Sequence, residues 1–373
     1  MILVSIIIVN YRVKYFLEQT IRSAQEALAG IDDSGEIIIV DNASGDDSMD
    51  FIKSRFGDSV TYIENTENVG FARANNQAIA IANGEFTLIL NPDTIICRDT
   101  LRKAIEWFKS HADCGAIGVR MLDGNGIFLP ESKRAFTTPW VSFCKIFGLS
   151  ALFPQSKIFA RYHLRYLDEH KAHKVDILAG AFILARTEIL RGIEGFDERF
   201  FMYGEDIDLS YRIVKEGFSN YYLPIPIIHY KGESTKKDSM RYVRVFYEAM
   251  LIFFKKHYPH YSKFFAFFIR FAIYARALMA VLRRIFIRKS NLSLKKSTHR
   301  WQIISNDCVR IKNVIGSEAI FTESSPTDIV FDDSALTYSE IIDAIDSRSN
   351  GKLHFHIYSS RNGIIISPKM SIQ

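Results

Sequence analysis

Four stretches of this 373-residue chain combine side-chain types and spacing that suit chemistry on a charged ligand. Three stand directly after apolar runs: Asn10-Tyr11, Asp41-Asn42-Ala-Ser-Gly-Asp-Asp and Asn91-Pro92-Asp93. The fourth, Glu205-Asp206-Ile-Asp208, opens a segment with helical spacing. A helix N-terminus stabilises negative charge, so the acids at 205 and 206 are expected to stay ionised at neutral pH, as a general base must. A single Asp after a strand is usually a helix cap or turn former, and Asp46, Asp47 and Ser48 are read that way. His229 ends the apolar run 224–228, where a lone histidine is ordinarily a core or capping residue.

Several chemistries are excluded by missing patterns. No GxxxxGK[ST] phosphate loop occurs, no GxGxxG follows the first strand, and no GxSxG elbow is present. A nucleotide site without a glycine cradle must manage the diphosphate charge otherwise, and a divalent cation held by carboxylates does so. Asp93 is placed for that role.

These residues need a scaffold. Apolar runs of strand length at 4–9, 36–40, 61–64 and 86–90 alternate with helical spacing at 13–29, 47–56 and 71–82. Such alternation predicts βαβ units and a mostly parallel α/β sheet, whose ligands gather at the carboxyl ends of the strands. A helix at 100–110 and a strand at 115–119 follow. Residues 124–174 are irregular, a new strand is expected at 176–184, and 205–215 reads as a helix. After a polar joint at 290–298, the tail repeats a small α/β pattern: strands at 328–331, 353–358 and 364–366 around a helix at 337–345. It reads as a separate domain, resembling half a nucleotide-binding sheet without a phosphate loop.

Composition sets the outer bounds. At 48% apolar and 24% charged the chain is an ordinary globular one. Four scattered cysteines without a CxxC pair rule out a disulfide scaffold and a zinc knuckle, and suit a reducing cytosol. The N-terminal run reads as a strand, not a signal peptide. Charge is uneven: residues 231–300 hold 17 Lys/Arg against three acids, while the remainder is net −9. This basic block, rich in Phe, is interrupted by Arg before any run reaches the roughly 20 residues of a spanning helix. It reads as an amphipathic helical segment at a membrane interface, against a packed helical hairpin with a basic face. No nucleic-acid motif accompanies the charge, so no nucleic-acid partner is expected.

The stretches Val4-Ser-Ile-Ile-Ile-Val-Asn-Tyr, Ile39-Val-Asp41-Asn42-Ala-Ser44, Asn68-Val-Gly70-Phe71-Ala-Arg-Ala74-Asn75-Asn76 and Leu90-Asn91-Pro92-Asp93 resemble family 2 glycosyltransferases of the GT-A fold. Gly180-Ala-Phe182, Gly195-Phe196-Asp197-Glu198, Tyr203-Gly-Glu205-Asp206-Ile-Asp208 and His229-Tyr-Lys-Gly232-Glu-Ser234 continue the resemblance in order. The rhamnosyltransferase-like subgroup is the most similar. The resemblance spans about 1–240; 241–297 are then the amphipathic helices and 298–373 a small α/β domain of unassigned role.

The resemblance implies roles. Asp41 hydrogen-bonds the nucleotide base, with Asn10, Tyr11 and Asn42 shaping the pocket. Asn68, Gly70, Phe71 and Asn75 border the sugar nucleotide. Asp93 corresponds to the last acid of the family's DxD metal motif, with Asn91 in place of its first acid, and His229 is the second metal ligand, for Mn²⁺ or Mg²⁺. Asp206, paired with Glu205, is the general base of a single inverting displacement. Asp197, Glu198, Asp208 and Arg134, with the aromatic stretch 140–166, fall to the acceptor side. The donor is a UDP- or dTDP-linked sugar, rhamnose among the candidates. The acceptor is a glycan or polyprenyl-linked glycan in cell-surface polysaccharide synthesis, met at the cytoplasmic face of the membrane. Two alternatives stay open: a nucleotidyltransferase on the same sheet, and a non-catalytic nucleotide-sugar scaffold.

Overall fold

The computed structural model describes residues 2–32, 34–136, 138, 140–141, 144, 149–230, 240–261, 267, 299–316, 319–368 and 370–372. The first half alternates as the periodicity predicts: β1 (Val4–Asn10), α1 (Lys14–Ala29), β2 (Gly35–Asp41), α2 (Ser48–Phe56), β3 (Thr61–Glu64), α3 (Phe71–Ile81) and β4 (Phe86–Leu90). Then come β5 (Thr94–Ile96), α4 (Thr100–Ser110), β6 (Cys114–Leu122), β7 (His173–Val175), β8 (Phe182–Arg186), α5 (Thr187–Gly192), α6 (Glu205–Lys215) and β9 (Ser219–His229). Among the described residues these strands form one sheet, ordered β3-β2-β1-β4-β8-β6-β9-β5, with β7 also on β9. β1 runs parallel to β2 and β4, and β8 runs antiparallel between β4 and β6.

Apolar runs, rather than alternation, are what a sheet covered on both faces requires. Successive side chains point to opposite faces. Ile6, Ile8, Leu88 and Leu90 pack under α1 and α4, with Leu17, Ile21, Leu101 and Phe108. Ile7, Val9 and Ile89 pack under α3, α5 and α6, with Ala74, Ala78, Leu190 and Leu209.

Two departures from the sequence reading shape the site. The run expected as one strand over 176–184 forms β8 only from Phe182, because residues 178–181 leave the sheet and spend their backbone groups on site residues. β9 is long and bent. Its register with β6 slips between the pairs Val119–Leu223 and Arg120–Pro226, a bulge that includes Pro224. Bulges bend a strand and are where Pro is tolerated, and the bend carries residues 227–229 onto β5.

Helix α7 (Met240–His257) follows, and its Ala249 and Phe253 are buried against Phe200, Tyr203 and Tyr211. The described start of the basic block is therefore a packed helix. The remainder, 262–298 apart from Phe267, lies outside the described residues, and with it the interfacial-helix reading. Among the described residues no helix is long and apolar enough to cross a membrane.

The tail forms its own sheet from β10 (Arg300–Ile304), β11 (Ile320–Phe321), β12 (Asp328–Asp332), β13 (His354–Ser359), β14 (Ile364–Ser367) and β15 (Met370–Ile372). Its order is β11-β10-β12-β13-β14-β15, parallel through β13 and antiparallel beyond. Helices α8 (Cys308–Ile315) and α9 (Tyr338–Arg348) flank it, the latter opened by a Thr337–Glu340 capping box. Its packing is not independent: Ile341, Ile345, Phe331 and Phe355 share one core with Val13, Phe16, Ile95 and Ile228. An ion pair at 2.7 Å between buried Arg120 and half-buried Asp346 adds to the joint.

Candidate active site

The parallel register sets Asn10 opposite Asp41 at the carboxyl edge of the sheet. Asn10 Nδ2 donates to Asp41 Oδ1 at 2.8 Å and to Ser44 Oγ at 3.0 Å. Ser44 in turn donates its backbone N–H and its hydroxyl to the same carboxylate, at 3.0 and 2.6 Å. Asn10 Oδ1 is buried without a hydrogen-bond partner. Arg12, at a positive φ of 59°, turns its guanidinium onto Ser44 O at 2.7 Å and lies 5.2 Å from the Tyr11 ring centroid. Ser44 thus clasps the two strand ends. Sequence reasoning gave it no role of its own, although the Asp-x-x-Ser spacing of a turn was the available signal.

Asn42 fixes the next wall. Its Nδ2 donates to Asn68 Oδ1 at 3.0 Å, and its Oδ1 accepts from Val69 N at 3.0 Å. That holds the loop leading into α3 at Gly70, whose φ is 86°. A Cβ at Gly70 would stand 2.7 Å from Phe201 O, so only glycine lets Phe71 N reach that carbonyl at 2.8 Å. Phe71 packs edge-on to Phe196, and Asn75 donates to Phe71 O at 2.8 Å while its own Oδ1 is buried without a partner.

Asn91 and Asp93 cross from β4 to β5. Thr20 of α1 donates to Pro92 O at 2.8 Å, and Asn91 N donates to Ala181 O at 3.0 Å. The bend of β9 brings His229 Nε2 to 3.3 Å from Asp93 Oδ1 and 3.4 Å from Asn91 Nδ2. The structure thus brings Asp93 and His229 together, and His229 Nδ1 is buried with no partner. Among the described residues no cluster of three or more His, Cys, Asp or Glu is poised to hold a metal.

The Glu205–Asp206 pair opens α6 behind Gly204, in the left-handed region at φ 83°. Asp206 Oδ2 accepts from Arg134 at 2.5 Å and from Gly180 N at 3.2 Å, and its Oδ1 accepts from Ile207 N at 2.8 Å. Since Ala181 carries the carbonyl that holds Asn91, a two-residue segment links Asp206 to the carboxyl edge of the sheet. Arg134 is buried. Burial alone would lower its pKa, but the Asp206 carboxylate and the Tyr162 hydroxyl beside it outweigh burial and raise it. Arg134, expected on the acceptor side, thus stands at the flank of Asp206. Glu205 corrects the expectation that both acids stay ionised. It is 7% exposed, its Oε2 has no partner, and burial first, then the neighbouring Asp206 charge, pushes its pKa up to about 8. At neutral pH it holds a proton.

The remaining acceptor-side candidates do other work. Asp208 is fully buried, bonded to Arg212 Nε at 2.7 Å, Lys256 Nζ at 2.8 Å and His257 Nε2 at 2.6 Å. It anchors α7 to α6, and an acid on the buried side of the first turn has no access to an acceptor. Asp197 pairs with Arg199 at 2.5 Å and the same Lys256 at 2.6 Å. Glu198 is exposed and accepts from Asn76 at 3.1 Å. Lys256 and His257 were not singled out in the sequence, because their partners lie 48 residues and more upstream. Of the turn acids, Asp46 caps Ser48 N at 3.0 Å and Asp47 pairs with Lys14 at 2.8 Å, both structural as read.

Residues 5–191, half of the chain, match the model of glycosyl transferase family 2. An N-acetylglucosaminyl-diphospho-decaprenol L-rhamnosyltransferase of Mycobacterium tuberculosis is 24% identical over 229 residues, 58% of this chain and 73% of that protein. A low-salt glycan biosynthesis hexosyltransferase of Haloferax volcanii is 28% identical over 58% of this chain and 62% of its own length. A rhamnosyltransferase of Escherichia coli is 31% identical over 43% and 61%. Less than two thirds of the length of the last two is therefore matched. A mannosyltransferase of Pyrobaculum calidifontis, solved with GDP-Man and Mn²⁺, superposes with a TM-score of 0.46 at 20% identity, covering 68% of this chain and 63% of that one. On the match over residues 5–191, the chain belongs to glycosyl transferase family 2.

Proposed function

We propose that this glycosyltransferase moves a sugar, rhamnose foremost, from a UDP- or dTDP-linked donor to a hydroxyl of a lipid-linked glycan, with inversion and with a divalent metal. One observation carries the reading: Asp206 is tied through Gly180 and Ala181 to Asn91, so a carboxylate lies beside the edge where Asn10 and Asp41 open. The lipid-linked acceptor is drawn from the diphospho-decaprenol named for the mycobacterial relative, and it would place the enzyme at the cytoplasmic face of a membrane.

In this reading Asp41, oriented by Asn10 and Ser44, accepts from the nucleotide base, and Tyr11 covers it. Asp93 and His229 would hold the divalent cation, the hard ion that carboxylate, imidazole and substrate phosphate oxygens suit. His229 Nε2 and the Asp93 carboxylate, 3.3 Å apart, are an imidazole and carboxylate pair of the kind that binds such an ion. When bound there, Mn²⁺ or Mg²⁺ would supply charge for the leaving diphosphate. Asp206 takes the acceptor proton on a carboxylate oxygen while the freed oxygen attacks the anomeric carbon opposite the diphosphate. Arg134 and Gly180 N hold that carboxylate in place, and protonated Glu205 keeps a second negative charge away from it.

The test is nucleoside diphosphate release from UDP-, dTDP- and GDP-sugars, with Mn²⁺ or EDTA and a membrane lipid extract. Metal-dependent release from one donor is expected. Asp206→Asn should still bind the sugar nucleotide but lose transfer by roughly the 10²–10⁴-fold of a general base. Pyrophosphate as product would favour a nucleotidyltransferase, and undiminished transfer by the variant would remove Asp206 from the role.

A further inference from the structure

The carboxyl ends of the parallel strands in an open α/β sheet are where such sheets bind ligands. In the C-terminal sheet those ends are not free surface. The residues after β12, Asp333 and Ser334, and after β13, Ser360 and Arg361, face Arg22, Gln25 and Glu26 of α1 across a cavity of about 450 Å³. A second cavity of about 410 Å³ shares Arg22 and Arg361 with the first and adds Phe51, Ser54 and Arg55 of α2. Together they have the size range of a small-molecule site.

Their chemistry is polarised. Three guanidinium groups, Arg22, Arg55 and Arg361, gather at one end, and Glu18 is the carboxylate that offsets them, 2.6 Å from Arg22 and 3.9 Å from Arg55. Arg361 is exposed at the rim. The other end presents Glu26, Asp333 and the hydroxyls of Ser334 and Ser360, a set that hydrogen-bonds sugar hydroxyls. Planar guanidinium groups in number are the usual recognition of phosphate. Tyr338, first residue of α9, closes one wall of the first cavity.

We propose that the joint between the C-terminal sheet and helices α1 and α2 is a second, non-catalytic binding site. Its ligand is a phosphate ester of a sugar, whose phosphate meets Arg361, Arg55 and Arg22 and whose hydroxyls meet Asp333 and Glu26. A nucleotide and a simple sugar phosphate share that chemistry. The carboxyl edge that holds Asn10, Asp41 and Asp206 contributes nothing to it.

Hydrogen exchange of the full chain with ADP, with UDP and with glucose 1-phosphate distinguishes the sources. At least one probe should slow exchange at least threefold in 332–338 and 359–363, whether or not it also protects 41–44. Protection by ADP or UDP alone identifies a nucleotide, and protection by all three a sugar phosphate. Arg361→Glu, at an exposed loop position, should abolish the protection in 332–338 while leaving the far-ultraviolet spectrum and any protection at 41–44 as in the wild type. No protection at 332–338 by any of the three, or protection that survives Arg361→Glu, overturns the proposal.

Discussion

Glu205 makes the sharpest demand on the physics of this site. Its carboxyl is buried and lacks a partner for Oε2, and its pKa rises from 4.5 to about 8. Below about pH 4.5 the folded and unfolded states both hold the proton and no penalty exists. Between 4.5 and about 8 only the folded state holds it, so stability falls by about 1.4 kcal/mol per pH unit. Above 8 the full cost, on the order of 5 kcal/mol, is present. Glu205→Gln keeps the shape and removes the charge. The variant should match the wild type near pH 4.5 and exceed it at pH 9, with an apparent melting midpoint higher by roughly 6 °C. The measurement is thermal unfolding of both proteins across that range. A gap between them that does not widen from pH 4.5 to 9 would refute the claim that Glu205 is held protonated by burial.

Three further outcomes follow from geometry. Gly70→Ala places a Cβ 2.7 Å from Phe201 O at a φ of 86°, and should cost about 1–3 kcal/mol and weaken sugar-nucleotide binding, read by calorimetry and urea midpoint. Asp208→Asn leaves Lys256, His257 and Arg212 without their shared carboxylate; a loss of about 3–5 kcal/mol is expected, with faster proteolysis inside 240–261 as the readout. His229→Ala should raise the Mn²⁺ concentration needed for half-maximal transfer by at least tenfold while leaving nucleotide binding in EDTA unchanged, and an unaltered metal titration would take His229 out of the metal site.

The parts of the site legible in the sequence share one cause. Asn10, Asp41 and Asn91 each follow an apolar run directly, with Asn42 and Asp93 one and two residues further on, and the rule that parallel strands deliver ligands at their carboxyl ends needs no more than local pattern. Arg134 was legible as a residue but not as a role, since its partner Asp206 is 72 positions away. The clasp at Ser44, the bulge that aims His229 and the shared core of the tail all depend on which segments meet, which periodicity does not encode.

Glu205 shows why a correct local rule can still give the wrong protonation state. The dipole of α6 favours a carboxylate in its first turn, as the sequence argument held, and is worth about 0.3–1 kcal/mol for an exposed acid. Full burial beside a second carboxylate opposes it by several kcal/mol, the scale of the shift to about 8. The two acids are neighbours on one turn, yet Asp206 points to Arg134 and Gly180 while Glu205 points into the core. The sequence supplies the pair, and the packing decides which member carries the charge.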